Sequence, residues 1–503
     1  MVNETWNAIM EDREVRQNLS KLRQELKASG GRAALLSQMA GEEGRLIALL
    51  GHEDAKVRKN AALLMGDLGS PEFLAPIYEA YREEEQMFVK SFYLTALENF
   101  DCRIYLDELK ERLQLLSATE AEIENQKHQM EELRKLSALV ILMEGTTTHK
   151  FIGWGEDYHI ILLTNRNFPE ITEAELRSLQ PKAQTQIFGA GIKAQVKGLM
   201  GITGIRTWQE LLFVVKGMEN CPMDAEKASD VIARSELLKF LGKSHEGKPP
   251  YYFRIEFKSK MDADKRMLFA KKLAMQIEKK TDRKLINTTS NYEIEIRLIE
   301  NKEGSCNILL KLQTMEDGRF TYRKEVIPVS IRPVTAALTV ALAKKYMKED
   351  AQVLDPFCGV GTMLVERHKA VRANTCYGID LLEDAIEKAK KNTEEAHQTI
   401  HYINRNFFDF RHEYLFDEII TDLPFRIGRK TEEEIYDLYV KFFKKSGSYL
   451  KPDGMLILYT HNLAYIRELA HSGGYRMIKE FEISKKEGTY VVVCSRLATT
   501  ARL

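Results

Sequence analysis

The stretch Ala351-Gln-Val-Leu-Asp355-Pro356-Phe357-Cys358-Gly359-Val360-Gly361-Thr362 constrains this chain more than any other. An apolar run of strand length passes into two glycines one residue apart, and then into residues that suit the start of a helix. Gly359 and Gly361 let the backbone approach a ligand where a Cβ would collide. In an open α/β sheet such a ligand lies beyond the carboxyl ends of the strands, so the turn fixes the working edge of the fold. Nineteen residues after Gly361 the next predicted strand, Cys376-Tyr-Gly-Ile, closes on Asp380. A carboxylate there can accept both hydroxyls of a ribose. The expectation is a doubly wound, Rossmann-like α/β domain with a nucleoside-bearing cofactor.

A nicotinamide dinucleotide and S-adenosylmethionine (SAM) compete for that role, since an acid closing the second strand serves either ribose. Two features favour SAM. The turn lacks the third glycine of the dinucleotide fingerprint, and Asp355 supplies a carboxylate for a ligand ammonium. Farther on, the strand Gly454-Met-Leu-Ile-Leu-Tyr459, a helix, and a hairpin from Tyr475 to Cys494 close the sheet with an antiparallel pair, as in SAM-dependent enzymes.

The segment Phe416-Asp-Glu-Ile-Ile-Thr421-Asp422-Leu423-Pro424-Phe425 carries the chemistry. An apolar strand runs into D-L-P-F about 42 residues beyond Asp380, where the ligand edge of a fourth strand belongs. An exocyclic amine on a base is a poor nucleophile because its lone pair is delocalised into the ring. The carboxylate of Asp422 and a main-chain carbonyl at Leu423 or Pro424 can accept its two N–H bonds and aim the nitrogen at a methyl donor. Pro424 stiffens the turn, and Phe425 offers a face for a flipped or single-stranded base, worth about 1 to 3 kcal/mol. His461 reads as a turn residue bordering the same crevice, and Cys358 as a small packing residue.

At 503 residues the chain exceeds one ordinary core, and about three or four domains are expected. Residues 1–104 read as helical repeats: Asp54-Ala-Lys-Val57-Arg58-Lys-Asn60 opens a helix ending at Gly69, Asp12-Arg-Glu-Val15-Arg16-Gln-Asn18 opens an earlier one, and a looser copy starts near Val89, 32 residues after Val57. Residues 105–150 read as one long helix or a short coiled coil serving as a spacer. Residues 151–328 read as α+β, with a basic helix from Asp262 to Lys280 and a hairpin of alternating strands from Asn291 onward. Residues 329–503 form the α/β domain.

Charge is balanced overall, 74 basic against 74 acidic residues, but residues 251–290 hold eleven Lys or Arg against five Asp or Glu. That local surplus suits phosphates. The six cysteines are scattered without metal spacing, which argues against disulfides and zinc and for a reducing cytoplasm. The N-terminus lacks the basic and apolar runs of a signal peptide, and no stretch suits a membrane span.

With these residues in view, the last 350 residues or so resemble the THUMP-containing RNA guanine N(2)-methyltransferases. T-D-L-P-F-R-I-G-R-K is especially similar to members acting on the tRNA acceptor stem, and K-V-R-K-N-A-A-L-L-M-G-D-L-G resembles a HEAT repeat. The resemblance implies SAM as cofactor, bound by Asp355, Pro356, Phe357, Gly359, Gly361, Thr362 and Asp380, with Thr335 bordering it. It implies a base held by Asp422, Leu423, Pro424 and Phe425, and phosphate contacts from Lys265, Arg266, Lys271 and Lys272. The implied partner is RNA, tRNA ahead of rRNA, with no metal and no membrane. The helical front suits a protein partner or an extended grip on RNA. Methylation of an adenine N(6) amine is the rival reaction, and a SAM-holding scaffold without turnover the rival class. Two departures stand out: Asn406, with Asp409 three residues on, replaces the usual acid for the adenine amine, and Arg426 replaces the usual glycine after Phe425.

Overall fold

The computed structural model describes residues 2–29, 31–39, 41–119, 125–145, 149–428 and 430–497, so Arg429 of the D-L-P-F segment and residues 498–503 lie outside it. They form two compact units, one from Met1–Lys150, Asn220–Ser235 and Gly247–Asn307, the other from Phe151–Glu219, Glu236–Glu246 and Ile308–Leu503.

The first unit begins with helices, among them Val2–Met10, Val15–Ser29, Ala55–Leu68, Leu74–Glu83 and Met87–Leu97. The Asp54 phrase behaves as its sequence directs. The Asp54 carboxylate accepts the Lys56 N–H at 2.8 Å, and the helix stops where Gly69 turns left-handed. Val57, Leu64, Leu68, Val89, Leu94 and Leu97 interlock in one helical core. Arg58 spans to Glu84 with two hydrogen bonds of 2.7 and 2.8 Å.

Residues 105–150, expected as one long helix or a short coiled coil, hold two helices, Leu106–Ala118 and Gln126–Glu144. They run antiparallel: Lys110 pairs with Glu144, and Gln129 donates to the carbonyls of Leu116 and Thr119. Leu109, Leu113 and Leu116 meet Leu136, Leu139 and Val140 within the same core as the earlier helices. An apolar stripe of this length buries more surface folded back on itself than as an isolated spacer.

The unit also holds strand Tyr251–Lys258, parallel to Leu285–Asn287 and Ile294–Glu300, with helix Ala263–Lys280 packed beside it. Strand Ile294–Glu300 departs from the expected alternation. Its first five residues are all buried, Glu295 and Arg297 as an ion pair, as suits a strand covered on both faces.

In the second unit, strand Asp157–Thr164 lies between Gly191–Lys197 and Trp208–Val214, antiparallel to both. The remainder is built on seven strands: β1 (Ala351–Asp355), β2 (Ala373–Asp380), β3 (His401–Asn404), β4 (Phe416–Asp422), β5 (Leu450–Thr460), β6 (Tyr475–Ser484) and β7 (Thr489–Arg496). Their order is β3-β2-β1-β4-β5-β7-β6. Strands β1 to β5 are parallel, and β7 runs antiparallel to its neighbours β5 and β6. The chain winds outward through β2 and β3 and resumes on the other side of β1 with β4. That reversal opens a crevice at the carboxyl ends of β1 and β4.

Two polar clusters brace this half. Arg367, on helix Thr362–Ala370, meets Glu418 of β4 through contacts of 2.8 to 2.9 Å, both side chains fully buried. The segment before the domain is fastened to the same helix: Tyr322 Oη donates to Glu366 at 2.6 Å, and Arg206 grips Glu366 at 2.6 and 2.7 Å. Among the described residues no helix is long and apolar enough to cross a membrane, and no group of His, Cys, Asp or Glu forms a metal cluster. The six cysteines are free and buried.

Candidate functional site

The glycine turn is shaped by backbone that only glycine adopts readily. Gly359 and Gly361 have φ of 51° and 81°. A Cβ on Gly361 would stand 2.2 Å from the Tyr402 hydroxyl, whereas one on Gly359 would project into open space. Gly361 is therefore demanded by the protein, and Gly359 leaves room for a ligand. The Gly359 N–H donates to Asp380 Oδ2 at 2.9 Å and the Leu382 N–H to Asp380 Oδ1 at 2.9 Å, which ties the end of β2 to the turn.

Asp355 ends β1 fully buried. Its Oδ1 accepts the Thr421 hydroxyl at 2.6 Å and the Phe357 N–H at 3.1 Å. Burial pushes its carboxyl up to about 7, opposed by those two hydrogen bonds and assisted by the nearby charge of Asp380. Thr421 had no role assigned from sequence; it links β1 to β4 one residue before Asp422.

Asp422 closes β4 at the same edge. It is half-buried, with Oδ1 occluded and without a hydrogen-bond partner among the described residues, and burial together with the charge of Asp355 pushes its carboxyl up to about 8. A buried acceptor left unsatisfied is costly, and such groups collect where a ligand completes them. Leu423 turns its side chain fully into the core and donates its N–H to the Tyr459 carbonyl at 2.9 Å, so only its own carbonyl is left to meet a substrate. Pro424 is half-buried. Phe425 is stacked on His461, ring centroids 3.9 Å apart and planes 22° from parallel. His461 is thus an aromatic partner at the mouth of the crevice rather than a turn residue alone, and burial lowers its pKa, keeping the imidazole neutral.

Other predicted residues sit less centrally. Asn406 is exposed, and its oxygen accepts the Phe408 N–H at 3.0 Å as the cap of a short turn that includes Asp409, also exposed. Pro356 and Thr362 are buried, and Phe357 packs near Phe407 and Phe442. Thr335 lies in the first turn of helix Pro333–Ala343, half-buried. Arg323 joins that entry to the glycine turn, donating to the Ile331 carbonyl at 3.0 Å and the Thr362 hydroxyl at 3.4 Å. On the basic helix of the other unit, Lys265 pairs with Asp262 at 3.1 Å and Lys271 with Glu131 at 2.9 Å, while Arg266 is half-buried and Lys272 exposed.

The strand order with an antiparallel β7, the ribose-suited acid after a two-glycine turn, and the open face of Gly359 define a SAM-dependent methyltransferase domain. Residues 321–489 match the family model described as "RMKL-like, methyltransferase domain". Among curated proteins the chain is 26% identical over 162 residues to a ribosomal protein L11 methyltransferase of Dictyoglomus turgidum, covering 32% of this chain and 49% of that protein. It is 29% identical over 133 residues to the tRNA (guanine(10)-N2)-dimethyltransferase of Methanothermobacter thermautotrophicus, covering 26% and 38%. The chain thus spans half or less of the length of each relative. Among solved structures, TrmN from Thermus thermophilus aligns with a TM-score of 0.53 at 17% identity, over 67% of this chain and 99% of that one. SMU.472 complexed with SAH aligns with a TM-score of 0.51 at 13% identity, over 69% and 100%. At those identities the likeness is one of fold. The cofactor is SAM, and Asp355, Gly359 and Asp380 fit it: a carboxylate for its ammonium, room for its body and an acceptor for its ribose.

Were the SAM ammonium held beside Asp355, it would favour the ionised carboxyl, and cofactor binding would expel the proton held there below about pH 7. SAM affinity should therefore climb about tenfold per pH unit below 7 and level off above it. Titration calorimetry in buffers of different ionisation enthalpy should show proton release near pH 6.5, and Asp355→Asn should bind more weakly with no such slope. The same raised pKa means that the ligand-free domain loses stability as pH rises from about 4 toward 7, because the folded state then holds a proton that the unfolded state has released.

Proposed function

We propose that this chain transfers a methyl group from SAM to the exocyclic N(2) amine of a guanosine in tRNA. The observation that carries the reading is the occluded, unpartnered Oδ1 of Asp422 at the edge shared with the glycine turn. SAM supplies an electrophilic methyl on its sulfonium. Asp422 accepts one N–H of the incoming amine, and the Leu423 or Pro424 carbonyl the other, so that the nitrogen lone pair is turned toward the methyl. A carboxyl with a pKa raised to about 8 also suits taking up the proton that the amine releases. Phe425 and the neutral His461 present an aromatic face against which an extruded base can stack.

The guanine and tRNA parts of the reading are supported by the D-L-P-F segment and by the named activity of the Methanothermobacter relative. The test is label transfer from tritiated SAM to bulk tRNA, bulk rRNA and ribosomal protein, followed by nucleoside analysis. N(2)-methylguanosine in tRNA is expected. Label in N(6)-methyladenosine or in protein would replace the substrate, and no transfer to any of the three would leave a SAM-holding scaffold.

A further inference from the structure

A cleft lies in the first unit, outside the methyltransferase segment. It encloses about 1850 Å³, well beyond the roughly 300 to 1,000 Å³ that a small ligand fills. One wall is helix Ala263–Lys280, and the other comes from helices Val15–Ser29, Ala55–Leu68 and Gln126–Glu144. Eight lysines and arginines line it against four carboxylates. Two of those four are already engaged: Glu131 with Arg134 and Lys271, and Glu278 with Arg283. The cations outnumber the acids on the N-terminal wall as well, where Lys59 lies 3.7 Å from the Phe92 ring centroid and has its pKa lowered by burial and by the charges of Arg23 and Lys56. Two half-buried phenylalanines, Phe88 and Phe92, and apolar side chains such as Leu116, Leu133, Leu268 and Met275 lie between the cations.

What distinguishes this lining is its excess of cations over carboxylates, since protein-binding surfaces are depleted of charge at their core. Like charges gathered in a cleft instead call for a polyanion, and aromatic rings among them suit nucleotides. We propose that this cleft grips the phosphate backbone of the RNA substrate, with the basic helix on one side and the N-terminal helices on the other. The inference rests on the RNA reading above and assigns the helical front a role in holding that RNA. Of the basic residues marked from sequence, Lys271 and Lys272 line the cleft, whereas Lys265 and Arg266 do not.

The test uses the full chain and bulk tRNA, with affinity measured by fluorescence anisotropy from 50 to 300 mM salt. Lys21, Lys56, Lys127 and Lys272 are exposed, so K21E/K56E/K127E/K272E should fold and bind SAM as the parent does. It is expected to bind tRNA about a hundredfold more weakly at 150 mM salt, with a log–log salt slope reduced by about three. Tight tRNA binding by the parent, unchanged in the quadruple variant, would overturn the cleft while leaving the proposed reaction intact. No tRNA binding by the parent would overturn the RNA reading and this inference with it. Binding of polyglutamate as tightly as tRNA, lost in the same variant, would replace RNA with an acidic protein as the occupant.

Discussion

Asp422→Ala should abolish methyl transfer, lowering kcat by about 10³-fold or more, while SAM affinity changes less than about threefold. The asymmetry follows from position. Asp422 ends β4 with an oxygen that no group among the described residues satisfies, whereas the groups suited to the cofactor, Asp355 and Asp380, are already fixed by Thr421 and by the backbone of the turn. Asp422→Asn separates two contributions, since an amide oxygen accepts the amine's N–H but takes no proton. In the parent, kcat/KM should rise with pH through about 8 as the carboxyl ionises. That limb should vanish in Asp422→Asn. Single-turnover assays with calorimetry for SAM check both; equal loss of turnover and cofactor binding in the alanine variant would show that Asp422 serves the cofactor instead.

The second large effect is on stability. Arg367→Met strands Glu418 as a fully buried charge without its partner and removes the donors to the Lys348 and Val371 carbonyls. The cost is about 3 to 5 kcal/mol, or roughly 10 °C in melting temperature for a domain of this size. Changing both partners, Arg367→Met with Glu418→Leu, should recover part of that loss by removing the stranded charge. It should not recover all, because Glu418 also accepts the Lys348 N–H at 2.6 Å. Thermal unfolding followed by near-ultraviolet circular dichroism measures both, and a double variant no more stable than the single would refute the charge argument.

What could be read from sequence was what lies close along the chain. A strand, its turn and the next helix follow one another within a dozen residues, so the glycine turn and the strand ends at Asp380 and Asp422 were visible as elements. Partnerships that cross strands were not. Thr421 reaches Asp355 through sheet register, Tyr402 of β3 fills the space beside Gly361, and His461 meets Phe425 from the end of another strand. Residues 105–150 show a different limit. An apolar stripe gives the period of a helix without saying where it folds back, so Leu106–Ala118 and Gln126–Glu144 read as one. The basic helix showed as a charge surplus, but the wall facing it comes from residues more than a hundred positions earlier.

The fastening of the glycine-turn helix by the chain ahead of it bears on how this domain can be transplanted. Tyr322 holds Glu366, Arg323 holds Thr362, and the Glu325 carbonyl receives an N–H from Asn392, whose other amide hydrogen goes to Val360 inside the turn. A fragment excised at the first residue of the sheet would carry every strand and still lose the clamp that keeps its cofactor loop in shape. The inheritable module is longer than its visible architecture, and fusions or shuffled libraries should be cut upstream of that clamp.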